Sequence, residues 1–179
     1  FLRIGAATAT LLRDRGWQVF PTARKPADLE ALRAAGFAPI ALDLADPASI
    51  ESAAQELLAR TGGHLGALVN NAGFCQAGAL EDLPREALRA QFETNVFGLH
   101  DLTRRLLPAF RRQACGRIVN VSSVLGRISS PMLGAYCASK FALEALSDAL
   151  RIELWRTGIW VALVEPGAIV SRFRKNAAE

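Results

Sequence analysis

At 179 residues, 51% of them apolar, the chain has the length of one domain and enough apolar surface for a sizeable core. Its net charge of +4 comes mainly from scattered Arg, which excludes a basic stripe for nucleic acid. No apolar run approaches the roughly 18–20 residues that span a bilayer. No basic segment leads into an apolar one, so no signal peptide is read and a cytoplasmic location is expected.

Helical and strand patterns alternate along the chain, which predicts a parallel sheet covered by helices. Residues 5–15 are helical, with Gly16 as a stop. Residues 17–20 read as a strand. A helix over 28–35 follows, with Asp28 as its N-cap and Gly36 as its stop. Residues 38–42 form a strand ending at Asp43. Pro47 opens a helix that runs to Arg60, capped by Asp46. Residues 67–70 are a short buried strand. Two helices, about 85–91 and 95–112, come next, with the break between them unplaced. Residues 117–121 are a strand, 135–156 a long helix, and 159–164 another strand.

Cys75, Cys115 and Cys137 are odd in number and lack metal-ligand spacing. They read as free thiols in a reducing compartment. His64 and His100 have neither a carboxylate nor a second His at ligand spacing, and no metal is expected.

The informative segment is Tyr136-Cys137-Ala138-Ser139-Lys140, with Ser123 upstream. Residues four apart share a helix face, so Tyr136 and Lys140 point the same way. An ammonium beside a phenol favours the phenolate and is expected to lower the tyrosine pKa from about 10. Such a tyrosine exchanges a proton with an alcohol or ketone near neutral pH. A serine hydroxyl from a strand end can bond the same oxygen. Alone, a Tyr and a Lys four apart are equally a half-buried Tyr and a surface Lys.

They do not stand alone. Gly116-Arg117-Ile118-Val119-Asn120-Val121-Ser122-Ser123, Asn70-Asn71-Ala72-Gly73 and Thr94-Asn95-Val96-Phe97-Gly98 occur in the same chain. Together these motifs resemble the short-chain dehydrogenase/reductase family over essentially the whole length. Thr22-Ala23-Arg24-Lys25-Pro26 and the residues around Tyr136 resemble its hydroxysteroid and retinol dehydrogenase branch. The resemblance implies an α/β fold with a Rossmann-type doubly wound parallel sheet, in a single domain over 1–179. It also implies that Tyr136 is the general acid/base. Lys140 would lower its pKa and hold the ribose hydroxyls, Ser123 would orient the substrate oxygen, and Asn95 would hold a water in a proton relay. Ser122 is the rival for the serine role. Adjacent strand residues face opposite ways, and the family spacing selects Ser123.

By the same resemblance, Ile4, Gly5, Asp43, Leu44, Asn70, Ala72, Gly73, Pro166, Gly167, Ile169 and Ser171 contact a dinucleotide, together with Tyr136 and Lys140. Gly5 matches the last glycine of the family's T-G-x-x-x-G-x-G, and Arg3 replaces the middle one. The first strand and the substrate-covering C-terminal segment are expected to be missing, as in a piece of a longer protein. Residues 1–4 as a stub of that strand are the competing reading. Asp43 reads equally as a capping or turn residue. Arg24 and Lys25 stand where an acid would select NAD, so NADP(H) is favoured, a guanidinium holding the 2′-phosphate. The other reading of that turn is a solvated basic surface. The substrate is expected to be a hydrophobic secondary alcohol or ketone. Phe74, Met132 and Leu133 either line its pocket or belong to the core. A homodimer or homotetramer through the helices at 95–112 and 135–156 is implied. The alternative is a non-catalytic or folding-impaired fragment with weak or no cofactor binding.

Overall fold

Proline placement and one side-chain cap set the starts of two of the helices. In the computed structural model, which describes residues 3–169, α1 is Arg3–Asp14, β1 Thr22–Ala23, α2 Pro26–Ala34, β2 Ile40–Ala41, α3 Pro47–Arg60 and β3 Ala67–Asn70. Then come α4 (Arg85–Phe92), a π-helical segment (Glu93–Gly98), α5 (Leu99–Gln113), β4 (Gly116–Val121), a 3-10 turn (Val124–Gly126), α6 (Gly134–Glu153) and β5 (Ile159–Val164). α3 shows the local logic. Pro47 fixes its first turn, and the Asp46 carboxylate accepts a hydrogen bond from Ala48 N at 2.9 Å.

β3, β4 and β5 form a parallel sheet in which Asn70 lies opposite Asn120 and Val121 opposite Val164. β1 and β2 form a separate two-stranded parallel ladder, Thr22 opposite Ile40. Each crossover carries helices, so the strands of each ladder end at one edge. Ile118 of β4 is fully buried in a core with Leu106 and Phe110 of α5, Ile50 of α3 and Leu154. In open α/β sheets ligands bind beyond the carboxyl ends of the strands. Asn70, Val121 and Val164 end their strands at that edge.

Several expectations are corrected. Arg3 and Ile4 are helical and not part of a strand stub. Residues 17–20 form no strand. Among the described residues no strand lies beside them on the side away from β2, and a strand's N–H and C=O groups need ladder partners. Trp17 N instead donates to Leu12 O at 3.0 Å, closing the end of α1. β2 is likewise reduced to two residues. Lys25, not Asp28, occupies the N-cap of α2, because Pro26 begins the helix two residues early. Asp28 lies in the first turn, where its charge complements the helix dipole. The expected helix over 135–156 ends at Glu153, and Arg156 adopts a left-handed conformation (φ 64°).

The π-helical segment joins α4 to α5 without a break and presses against Leu44. A Cβ on Gly98 would collide with the Leu44 carbonyl oxygen. That oxygen belongs to the backbone and cannot swing aside. Gly98→Ala is therefore expected to destabilise the chain by about 1–3 kcal/mol, measured by urea denaturation. A neutral effect would show that the π-helical segment is not seated on Leu44.

Candidate functional site

β4 delivers Ser123 to the edge of the sheet, and α6 carries Tyr136 and Lys140 across it. All three are buried. Tyr136 hydrogen-bonds through its side chain to Ser123, whose Oγ also accepts from Leu125 N at 3.1 Å. Ser122 faces the other way, and its Oγ is buried without a hydrogen-bond partner among the described residues. Alternation along the strand therefore separates the two serines.

Lys140 Nζ donates to Val121 O at 2.8 Å and lies 5.7 Å from the centre of the Tyr136 ring. Burial pushes this ammonium down to about 8, opposed by the charge of Glu144. The tyrosine does not follow the sequence expectation. Burial raises the Tyr136 phenol above its ordinary value, the Ser123 hydrogen bond pulls it back, and Cys75 and Cys137 push it up. The ammonium is turned to the Val121 carbonyl, so it does not supply the lowering expected from helical spacing alone.

Asn95 sits in the π-helical segment, the kind of helical irregularity often found at functional sites. Its Oδ1 accepts from Phe74 N at 3.1 Å. Its Nδ2 donates to Phe74 O at 3.0 Å and to Ser139 Oγ at 3.1 Å. Ser139 in turn donates to the Tyr136 carbonyl at 2.7 Å. The amide thus ties the loop after β3 to the first turns of α6. Gln91 repeats the device, accepting from Gln76 N at 2.7 Å and donating to Phe74 O at 2.9 Å. Below them Asn70 donates to Thr103 Oγ1 and to Asn120 Oδ1, at 3.1 and 2.8 Å. Asn120 donates to Ser147 Oγ at 2.8 Å. Sequence reading missed Gln91, Thr103, Asn120, Ser139 and Ser147. The available signal was polar residues at core positions of apolar-patterned elements.

Of the expected dinucleotide contacts, Asn70 ends β3 at that edge, where Asn71, Ala72 and Gly73 follow it. Gly5, in the first turn of α1, packs so tightly on Asn71 that a Cβ would lie 2.7 Å from Asn71 Nδ2. This brings the N-terminal turn of α1 to the end of β3. A Cβ on Gly73 would lie 3.1 Å from Asn95 Oδ1. Arg24, following β1, is exposed, and its Nη1 is 3.8 Å from Asp43 Oδ2. Asp43 also accepts from Ala45 N at 3.0 Å, so it closes a turn as well as facing Arg24. Lys25 is exposed at the start of α2, and Leu44 is buried against Gly98. Pro166 O accepts from Val124 N at 3.1 Å, linking its turn to the Ser123 segment. Ile4 is half-buried in α1, while Gly167 and Ile169 are exposed. Ser171 lies outside the described residues.

An open, mainly apolar cavity of about 430 Å³ lies beside α6, lined in part by Leu80, Pro131, Cys137 and Phe141. Phe74, Met132 and Leu133 do not line it. Met132, at a φ of 64°, is exposed. The cysteines of the described residues are unpaired, with Cys75 and Cys137 buried and Cys115 exposed. Burial and the neighbouring Cys137 push the Cys75 thiol up to about 11. No cluster of metal-ligating residues occurs among the described residues, and no described helix is long and apolar enough to cross a membrane.

A parallel sheet covered by helices, with a buried Ser–Tyr–Lys group at its carboxyl edge, defines an α/β protein of the Rossmann type. The chain belongs to the short-chain dehydrogenase family, whose model matches residues 3–179. It is 48% identical over 173 residues to the uncharacterized oxidoreductase YbbO of Escherichia coli K12, covering 97% of this chain and 64% of that one. It is 41% identical over 134 residues to retinol dehydrogenase 8 of Bos taurus, covering 75% of this chain and 43% of that one. A short-chain dehydrogenase of Sphingobium yanoikuyae, solved with NADPH, superimposes with a TM-score of 0.88 at 31% identity, covering 98% of this chain and 70% of that one. The chain thus spans less than two thirds of the length of these two curated relatives.

Asn95→Ala would leave the Phe74 N–H and the Ser139 hydroxyl short of partners. Buried groups left unpaired cost about 1–3 kcal/mol each. The expected result is a clear drop in thermal midpoint, with faster amide exchange at Phe74. Unchanged exchange there would contradict the clamp.

Proposed function

We propose that the chain carries the catalytic centre of an oxidoreductase that moves a hydride between NADP(H) and a hydrophobic secondary alcohol or ketone. The observation that carries this reading is the buried Ser123–Tyr136 hydrogen bond with the Lys140 ammonium beside the tyrosine ring. A bound nicotinamide supplies or takes the hydride. The chain's own residues handle the proton. In reduction Tyr136 gives its phenolic proton to the carbonyl oxygen, and Ser123 holds that oxygen in place. In oxidation Tyr136 takes the alcohol proton.

The residues present fit a dinucleotide. Lys140 uses one of its three N–H groups on Val121 O and has two left for ribose hydroxyl oxygens. The tight contact between Gly5 and Asn71 brings the start of α1 to the end of β3, where backbone N–H groups of a helix N-terminus suit a pyrophosphate. Arg24 supports NADP(H), since its guanidinium is exposed beyond β1 and a 2′-phosphate competes well with a carboxylate 3.8 Å away. The Asn95 amide is committed to Phe74 and Ser139, so a relay through Asn95 would use its main-chain carbonyl. One relative bears the name retinol dehydrogenase, which supports an apolar substrate; the apolar cavity beside α6 is not lined by Ser123, Tyr136 or Lys140 and carries no part of this reading. Exposed Phe97 on the π-helical segment before α5, and Leu146 on α6, support self-association through these faces, as a dimer or tetramer.

The second reading, a non-catalytic or folding-impaired piece, draws on one observation. The β1–β2 ladder and the three-stranded sheet share no strand pairing among the described residues. Fluorescence titration with NADPH and NADH separates the two readings. Tighter NADPH binding is expected, with Arg24→Gln weakening NADPH about 10–100-fold and NADH little. In the same enzyme kcat/KM should fall as pH rises through about 8, because the Lys140 ammonium loses its charge there. Absence of binding by either nucleotide would favour the second reading.

A further inference from the structure

Glu144 is a buried carboxylate with no part in the proton transfer. It lies one helical turn beyond Lys140, so Tyr136, Lys140 and Glu144 recur every four residues along one face of α6. The residue is 4% exposed, and a carboxylate so placed needs a compensating charge. Arg127, from the turn after β4, puts Nη2 2.9 Å from Glu144 Oε2. The contact is one of charge, since neither Glu144 oxygen accepts an aligned hydrogen bond among the described residues. Ser122 Oγ, equally unpartnered, lies close by. A Cβ on Gly126 would be 2.8 Å from it and 3.2 Å from Glu144 Oε1. A buried polar group kept without good hydrogen bonds calls for a reason.

The same guanidinium reaches a third element. Arg127 Nε and Nη2 donate to Glu165 Oε1 at 3.2 and 3.0 Å. Glu165 follows β5 and precedes the Pro166–Gly167 turn. Arg127 therefore fastens together the Ser123 segment, the helix of Tyr136 and Lys140, and that turn.

We propose that Glu144, held by Arg127, is a positioning residue for the Tyr136–Lys140 pair: the buried anion one turn behind the Lys140 ammonium that keeps it charged. The inference rests on the oxidoreductase reading of that pair. One anion is shared between two cations. Without it, Lys140 keeps only the Val121 carbonyl, and burial drives the ammonium toward the neutral amine. Without Arg127, the whole field of the carboxylate falls on Lys140. The other ionisable groups in the network are Tyr136, Cys137 and Asp148 on α6, Cys75 in the loop after β3, and Glu165 after β5. The π-helical segment meets α6 through the uncharged Asn95–Ser139 contact.

Only three lysines occur, Lys25, Lys140 and Lys175. The Lys140 titration can therefore be followed directly by NMR of protein labelled at lysine Cε, with Lys140→Met giving the assignment. The midpoint is read on the ligand-free chain, so it succeeds or fails separately from turnover. In the isosteric Glu144→Gln variant it should fall by about one pH unit or more. In Arg127→Gln it should rise, and Arg127→Lys should restore the parent value. The alkaline limb of kcat/KM should move in the same directions. A midpoint unchanged in Glu144→Gln, or one that falls in Arg127→Gln, would overturn the proposal. Arg127 is half exposed, so its variants keep the test open if Glu144→Gln does not fold. Loss of stability in every variant with a fixed midpoint would assign the pair a structural role only.

Discussion

The arrangement depends on one ammonium held out of water. Lys140 is at a depth where a cation is costly, and the structure lowers its proton affinity to about 8 rather than removing it. A surface lysine would hold its charge more cheaply, but bulk water would screen its effect on a neighbouring phenol. Within the protein the same charge, pointed at the Val121 carbonyl, is less screened toward any hydroxyl at the sheet edge. The Val121 carbonyl and the Glu144 carboxylate offset the cost of burial. Much of the surrounding polar architecture keeps these groups in place.

That architecture is built from amides. Asn70, Asn120, Asn95 and Gln91 are buried, and each joins segments distant in sequence. Asn70 and Asn120 face one another across paired strands, with Thr103 and Ser147 completing their bonds from the helices above. Uncharged amides suit this role because they bridge two elements without adding a field that would disturb Lys140 and Tyr136. The opposite charges of Arg127, Glu144 and Glu165 are grouped behind the site instead.

Much of this was legible in the sequence, for identifiable reasons. α3, β3 and β5 have the boundaries read from Asp46-Pro47 and from the short apolar runs at 67–70 and 159–164. Their signals are local. Residues 17–20 have the composition of a strand but no ladder partner on one side, and strand formation is decided by neighbours. The π-helical turn around Asn95 has no local signature, so the break there could not be placed. Spacing put Tyr136 and Lys140 on one face, but spacing carries no information about burial. Hence the direction of the tyrosine shift was misread. The Glu144–Arg127 contact was invisible because it is set by how α6 lies on the turn after β4.

The central claim is that Tyr136 transfers the proton. It is the only tyrosine in the chain, which makes Tyr136→Phe a change of one hydroxyl. The direct measurement is NADPH oxidation in the presence of an apolar ketone, compared between the parent chain and Tyr136→Phe at equal cofactor saturation. Loss of about 10²–10⁴-fold in kcat with NADPH affinity largely kept is the expected result. A variant that retains turnover within tenfold of the parent would show that the proton comes from another group.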